Sequence, residues 1–95
     1  MEINKAILMD KKDNVATLLI EVESGQPVQI EAGAQVVTIQ AKDKIPYGHK
    51  IALNDIAKAG EVIKYGEVIG RSTDQIQEGC HVHIHNIESI SLGDL

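Results

Sequence analysis

Three of the four histidines in this chain lie at alternate positions near its C-terminal end, at His81, His83 and His85. Val82 and Ile84 separate them, and β-branched residues at alternate positions are typical of a β-strand. Because successive side chains of a strand point to opposite faces, we predict that the three imidazoles share one face. Imidazoles two residues apart on a strand, about 6–7 Å, can bind one metal ion or exchange protons with one small anion.

Four further residues have side chains that could bind a ligand or take part in a reaction: His49, Lys50, Cys80 and Asn86. Asn86 offers a donor and an acceptor to hydroxyl groups. Lys50, beside His49, can hold a carboxylate, but the pair can equally be a solvated strand edge that discourages strand pairing. The other histidines can likewise be solvated residues or part of a protein contact. The sequence places no base beside Cys80, so we interpret it as a small buried hydrophobic residue.

The composition argues against several functional classes. The 95 residues fit one small domain, and the net charge is −5. Negative charge repels nucleic-acid phosphates, and two tyrosines as the only aromatic residues provide no platform on which bases can stack. No apolar run approaches the ~18 residues of a membrane span, and no secretory leader is recognisable. We therefore expect a cytoplasmic protein that binds neither nucleic acid nor membrane, and its single cysteine forms no internal disulfide.

Short strands are the elements that must position these residues. We predict strands over residues 3–10, 15–22, 28–30 and 35–41, where aliphatic and β-branched residues recur between turn-forming segments. No window of useful length shows helical periodicity. The N-terminal half is therefore predicted to be all-β, and its first two strands are predicted to form a hairpin.

The second half contains a short repeat of the form I-x-Y-G-x-x-I, at residues 45–51 and 63–69. We interpret it as two similar strand–turn–strand units that face each other within one domain. The segments that begin at Asn54 and Thr73 follow the two copies, and their first residues suit the start of a helix. We therefore predict a 3₁₀ or one-turn helix in each segment.

These motifs together resemble the SAF-type N-terminal domain of altronate and galactarate dehydratases, and the small subunit of sulfolactate sulfo-lyase. The residues that carry the resemblance are Gly48-His49-Lys50-Ile51-Ala52-Leu53, Asp55-Ile56, Gly60, Lys64-Tyr65-Gly66-Glu67-Val68-Ile69-Gly70 and His83-Ile84-His85-Asn86. The resemblance implies a mostly β fold of the β-clip type over residues 1–90, followed by a short tail at 91–95. It also implies a sugar-acid substrate and a large catalytic dehydratase subunit as partner. A homodimer is a further option.

By this resemblance, the chain is the small subunit of a hydro-lyase that removes water from a sugar acid by β-elimination, and it is inactive alone. His83 and His85 are then the catalytic residues and also metal ligands, with His81 as a third ligand. The implied substrate-binding residues are Asn86, His49 and Lys50. The implied metal is Fe²⁺, with Mn²⁺ or Mg²⁺ as alternatives. Two other functions stay open: the small subunit of a sulfolactate sulfo-lyase, and a non-catalytic carbohydrate-binding or assembly module.

Overall fold

The computed structural model describes residues 4–89, and within this range the chain forms strands and turns without a helix. The strands are β1 (Lys5–Ile7), β2 (Val15–Leu18), β3 (Pro27–Ala32), β4 (Gln35–Gln40), β5 (Lys50–Ala52), β6 (Glu61–Lys64), β7 (Glu67–Ser72), β8 (His81–Val82) and β9 (Ile87–Ser89). The mostly β class predicted from the sequence is confirmed. In the described part of the chain, no helix is long and apolar enough to cross a membrane.

The strands form two sheets with two hydrophobic clusters. Six strands pair in the order β4-β3-β1-β2-β5-β8, and three pair in the order β6-β7-β9. The predicted hairpin of the first two strands is confirmed, because β1 and β2 pair antiparallel. Ile51 and Ala52, adjacent in β5, are both fully buried but belong to different clusters. Because neighbouring side chains of a strand point to opposite faces, the large sheet has apolar packing on both faces around β5.

One structural unit occurs four times, and in each copy a buried aliphatic residue precedes a tight turn and a new strand. The buried residues are Val22, Ile45, Ile56 and Ile76, and they form two antiparallel bridges, Val22 with Ile45 and Ile56 with Ile76. Three residues further on, the backbone has a positive φ: 92° at Gly25, 81° at Gly48, 66° at Ala59 and 89° at Gly79. A positive φ at the third position is the mark of a type II turn.

The repeated unit replaces the two helical turns that we predicted after Asn54 and Thr73, and that prediction is wrong. Ile56 and Ile76 instead donate backbone hydrogen bonds to each other's carbonyl oxygens, at 2.7 and 2.8 Å. Burial of the two isoleucines therefore favours an extended bridge over a local helical turn. The I-x-Y-G-x-x-I sequence repeat does not follow this unit, because Ile45 lies at a bridge and Ile63 lies within β6.

Two of the four turns start the strands that carry the histidines. The turn at Gly48 leads into β5 at Lys50, and the turn at Gly79 leads into β8 at His81. β5 and β8 then pair antiparallel, with Ile51 opposite His81. The repeated turn thus brings two histidine-bearing segments, distant in sequence, to one end of the large sheet.

Candidate functional site

The histidine run does not form the strand that we predicted over residues 81–85. Strand β8 ends at Val82, and the chain then turns through residues 83–86. The Asn86 side chain closes this turn: its Oδ1 accepts a hydrogen bond from the His83 backbone N–H at 2.9 Å, and its Nδ2 donates to the His81 carbonyl at 2.7 Å. An asparagine that bonds backbone groups a few residues away offers the chain an alternative to a strand. The expected row of three imidazoles on one strand face is therefore wrong.

The structure instead gathers His49, His81 and His83 into one cluster. His49 Nδ1 lies 2.8 Å from His81 Nε2, within hydrogen-bonding distance. The rings of His49 and His83 stack with centroids 3.8 Å apart and planes 12° apart. One ring nitrogen from each histidine lies within 4.8 Å of the other two. These three residues, drawn from the two turn-initiated segments, form what we call the histidine cluster.

His85 lies beside the cluster rather than within it. Its ring centroid is 4.9 Å from that of His81, and the ring is tilted by 38° and exposed. The histidine cluster thus contains His49, whereas we predicted that His85 would be its third member. The prediction of His85 came from the alternate spacing of His81, His83 and His85. His49 joins the cluster through the pairing of β5 with β8, and no local sequence pattern indicates that pairing. The predicted roles of His83, His85 and Asn86 stay predictions, and the structure gives Asn86 a defined part in the turn.

Burial and mutual repulsion lower the pKa values of two imidazoles of the cluster, those of His81 and His83. Burial, followed by the charges that His85, His49 and His83 would carry, lowers the pKa of His81 to about 4. The pKa of His83 is also lowered, chiefly by burial and then by His49 and Lys50. His83 Nδ1 is buried and has no hydrogen-bond partner among the described residues. Because an unpaired buried N–H is costly, the tautomer with a bare Nδ1 and a proton on Nε2 is favoured, which leaves a lone pair free.

Lys50 supplies positive charge next to the cluster, and Lys64 is a neighbour that sequence reasoning missed. Burial and then the charge of Lys64 lower the pKa of Lys50. Lys50 pairs with Val82 across β5 and β8, so the two side chains share the face that packs toward the small sheet, where β6 ends at Lys64. Within residues 4–89, neither lysine forms an ion pair. The Lys64 ammonium lies 5.0 Å from the centroid of the Tyr65 ring, and both lysines can offer positive charge to an anion.

The donors of the cluster fit a divalent transition metal in kind and in spacing. Neutral imidazole is a good ligand for Fe²⁺ and Zn²⁺, and the lowered pKa values of His81 and His83 favour their deprotonated forms at neutral pH. The free lone pair on the buried His83 Nδ1 is a donor of the type that a metal uses. The lone pairs of the stacked His49 and His83 rings lie in nearly parallel planes, so one of the two rings would have to rotate for both to hold the same ion.

We expect the metal-free chain to lose stability as the pH falls from about 6.5 toward 4. The folded state holds the His81 pKa near 4, below its unfolded value, so the unfolded state binds more protons in this window and acid favours unfolding. Above the unfolded pKa both states are neutral, and the full stability is present. A loss of about 1 kcal/mol lowers the Tm of a domain of this size by about 4–8 °C. Thermal denaturation across this pH range checks the prediction. His81→Gln serves as the control, since it should flatten the profile, and an unchanged profile would contradict the assigned cause.

The fold and the cluster define a small β domain with an imidazole site suited to ligand or proton chemistry. Residues 4–90 match the model of the altronate/galactarate dehydratase SAF domain, and the chain belongs to this family. It is 41% identical over 86 residues to the (2R)-sulfolactate sulfo-lyase subunit alpha of Chromohalobacter salexigens, covering 87% of this chain and 92% of that protein. The resemblance drawn from the motifs is thus confirmed.

Two longer relatives are altronate dehydratases. The chain is 37% identical over 89 residues to that of Bacillus subtilis, covering 94% of this chain and 17% of the enzyme. It is 43% identical over 83 residues to that of Escherichia coli, covering 87% of this chain and 16% of the enzyme. The chain therefore spans about one sixth of the length of these dehydratases, whose remaining length has no counterpart in it.

Proposed function

We propose that this chain is the SAF-domain subunit of a sugar-acid dehydratase of the altronate or galactarate type, and that it contributes the histidine cluster to a site completed by a large catalytic subunit. One observation carries the proposal: three imidazoles converge within 4.8 Å, and one of them has a buried nitrogen without a partner among the described residues. Burying an unsatisfied polar atom costs stability. A site that keeps such an atom is ready for a proton, a metal ion or a substrate group.

A β-elimination from a 2-hydroxy acid needs three things from its active site: a base for the α-proton, an acid for the departing hydroxyl, and positive charge for the enediolate formed between them. We assign the base to His83, whose lone pair is free. Lys50, with Lys64 beside it, holds the substrate carboxylate. His85, exposed at the rim, carries protons to and from water, and Asn86 stays a predicted substrate-binding residue.

A divalent ion such as Fe²⁺, when bound by the cluster, supplies the Lewis acidity that stabilises the enediolate and orients the carboxylate. The residues that would hold it are His49, His81 and His83. In that case the ion would use the lone pair of His83, and the base for the α-proton would come from the large subunit. The hydrogen bond between His49 and His81 fixes the two rings relative to each other. Asp43 accepts a hydrogen bond from the His81 backbone N–H at 2.9 Å and so positions the start of β8.

A sulfo-lyase is the second candidate, and it has a specific observation in its favour. The relative named a sulfolactate sulfo-lyase subunit alpha aligns over 92% of its own length, so a subunit of this size exists in that enzyme class. Both reactions remove a leaving group next to a carboxylate-bearing carbon, and they share the need for a base and for enediolate stabilisation. They differ in whether hydroxide or sulfite departs.

The test is reconstitution of the purified chain with a large dehydratase subunit, with altronate, galactarate and sulfolactate as substrates and Fe²⁺ present. We expect turnover only when both proteins are present, and with one of the two sugar acids. Release of sulfite from sulfolactate in place of dehydration would establish the sulfo-lyase. A chain that binds the large subunit or a sugar acid without affecting turnover would make it a non-catalytic module and overturn the proposal.

A further inference from the structure

Among the residues that the structure describes, strand β4 forms an open edge of the large sheet and lacks the usual protection. It pairs with β3 on one side, and its residues, Gln35–Gln40, carry no charge. Proteins usually protect a sheet edge with charges, proline or a very short strand. The other edges within residues 4–89 obey this rule, because β6 and β9 contain charged residues and β8 is two residues long. β4 therefore has the features of a strand-pairing surface.

The apolar face of the large sheet continues to this edge, where no residue between 4 and 89 covers it. Ala6, Ile30 and Val37 lie opposite one another across β1, β3 and β4, and so share one face. Their exposure rises from 0% to 2% to 50% in that order. Val37 also lines an apolar groove of about 190 Å³ together with Leu8 and Leu53. A further strand beyond β4 would cover Val37 as β4 covers Ile30.

The tight turn between β3 and β4 determines which backbone groups face the open edge. Gly33 and Ala34 form a two-residue loop with a positive φ of 64° at Gly33, as a type II′ turn requires. The pair that flanks such a loop is hydrogen-bonded, and every second pair after it is hydrogen-bonded too. The backbone N–H and C=O groups of Val36 and Thr38 therefore point away from β3.

Steric cover at one end limits how a new strand can pair with β4. Gly79 lies directly against the carbonyl oxygen of Gln40, which closes the edge there. A partner strand is then left with the outward groups of Val36 and Thr38. The outward N–H and C=O groups of β4 can form hydrogen bonds only with N–H and C=O groups of the partner strand that point toward β4. A shift of the partner by one residue would turn its groups away, so such a shift is not allowed. For two identical strands, the register that satisfies both conditions centres on Val37.

We propose that β4 pairs antiparallel with β4 of a second copy of this chain, around a two-fold axis through Val37. Val36 of each copy then faces Thr38 of the other, and the two pairs exchange about four backbone hydrogen bonds. Val37 meets its own equivalent on the apolar face and covers it. A second copy suits this strand because uncharged self-pairing brings no like charges together, although the chain carries a net charge of −5.

Disulfide trapping tests the axis directly. In a Cys80→Ser background, Val37→Cys should cross-link two copies under mild oxidation, because residues facing each other in a non-hydrogen-bonded pair have Cα atoms about 4.5 Å apart. Val36→Cys is the matched control, since Val36 is at least as exposed, at 58%. In the proposed register its two copies lie about 8 Å apart, too far for a disulfide. Equal cross-linking of both variants, or of neither, would overturn the register.

The oligomeric state in solution provides the second test. Analytical ultracentrifugation from about 5 to 200 µM should show a dimer for the natural chain and a monomer for Val37→Lys and for Thr38→Pro, which removes an outward N–H. Val68→Lys, the same change at an exposed valine of β7, should leave the dimer intact. A monomeric natural chain, or a dimer unaffected by both β4 variants, would contradict the proposal. If the natural chain is monomeric and Val37→Lys loses binding to the large subunit, β4 docks that partner instead.

Discussion

Replacing His49 by alanine is expected to lower the kcat of the reconstituted complex by about 10²–10⁴-fold, the usual range for removal of a group that positions or transfers a proton. His49 stacks on His83 at 3.8 Å and shares a hydrogen bond with His81, so its loss disturbs both other members of the cluster. His85→Ala is the matched variant, and we expect a loss of less than about tenfold, because water can replace an exposed proton carrier. Steady-state kinetics with the complex measures both.

Metal binding provides a readout that does not depend on turnover. Fe²⁺ or Zn²⁺ should raise the Tm of the chain, because an ion that binds only the folded state stabilises it by mass action. The shift should vanish in His49→Ala and persist in His85→Ala. It should also fade in acid, because protonation of the imidazoles releases the ion. If His85→Ala instead lowers kcat and the metal-induced Tm shift more than His49→Ala does, then His83 and His85 would be the functional pair of histidines.

Replacing Asp13 by alanine is expected to lower the free energy of unfolding by about 3–5 kcal/mol, a large part of the stability of a small domain. The Asp13 carboxylate is 7% exposed. It accepts backbone hydrogen bonds from Asp10 at 3.1 Å, Tyr65 at 3.0 Å and Gly66 at 2.8 Å. Its removal leaves these N–H groups without partners. Tyr65 and Gly66 form the turn between β6 and β7, so Asp13 also ties the small sheet to the large one.

Denaturant unfolding of three variants tests this account of Asp13. Asp13→Asn should lose less than Asp13→Ala, because one side-chain oxygen still accepts hydrogen bonds. Asp55→Ala is the control: its carboxylate accepts one backbone hydrogen bond, from Glu78 at 2.8 Å, and is exposed, so we expect a loss of about 1 kcal/mol or less. Similar losses for Asp13→Ala and Asp55→Ala would show that burial and the number of hydrogen bonds do not set the cost.

The sequence predicted the strands best where alternation and turn residues agree. Strand β4 lies within the predicted range 35–41, and the predicted range 15–22 includes β2 but extends past its end. The chain leaves β2 after Leu18 in order to bring Val22 into its bridge with Ile45. That bridge joins residues 23 positions apart, and a pairing at this distance cannot be read from a local pattern. The same reason explains why the repetition of the four turns, each placed three residues after a bridge residue, was not predicted.

The amino-acid sequence by itself determined the mostly β class, the family and the set of residues from which the site is drawn. Those properties depend on composition, alternation and short motifs, which are local. Tertiary structure alone decided which histidines meet. Asn86 ends the strand after Val82 through its own hydrogen bonds, and the pairing of β5 with β8 brings in His49 from 32 positions away. Membership of the cluster is thus a matter of register between distant strands, and register is fixed by packing on both faces of the sheet.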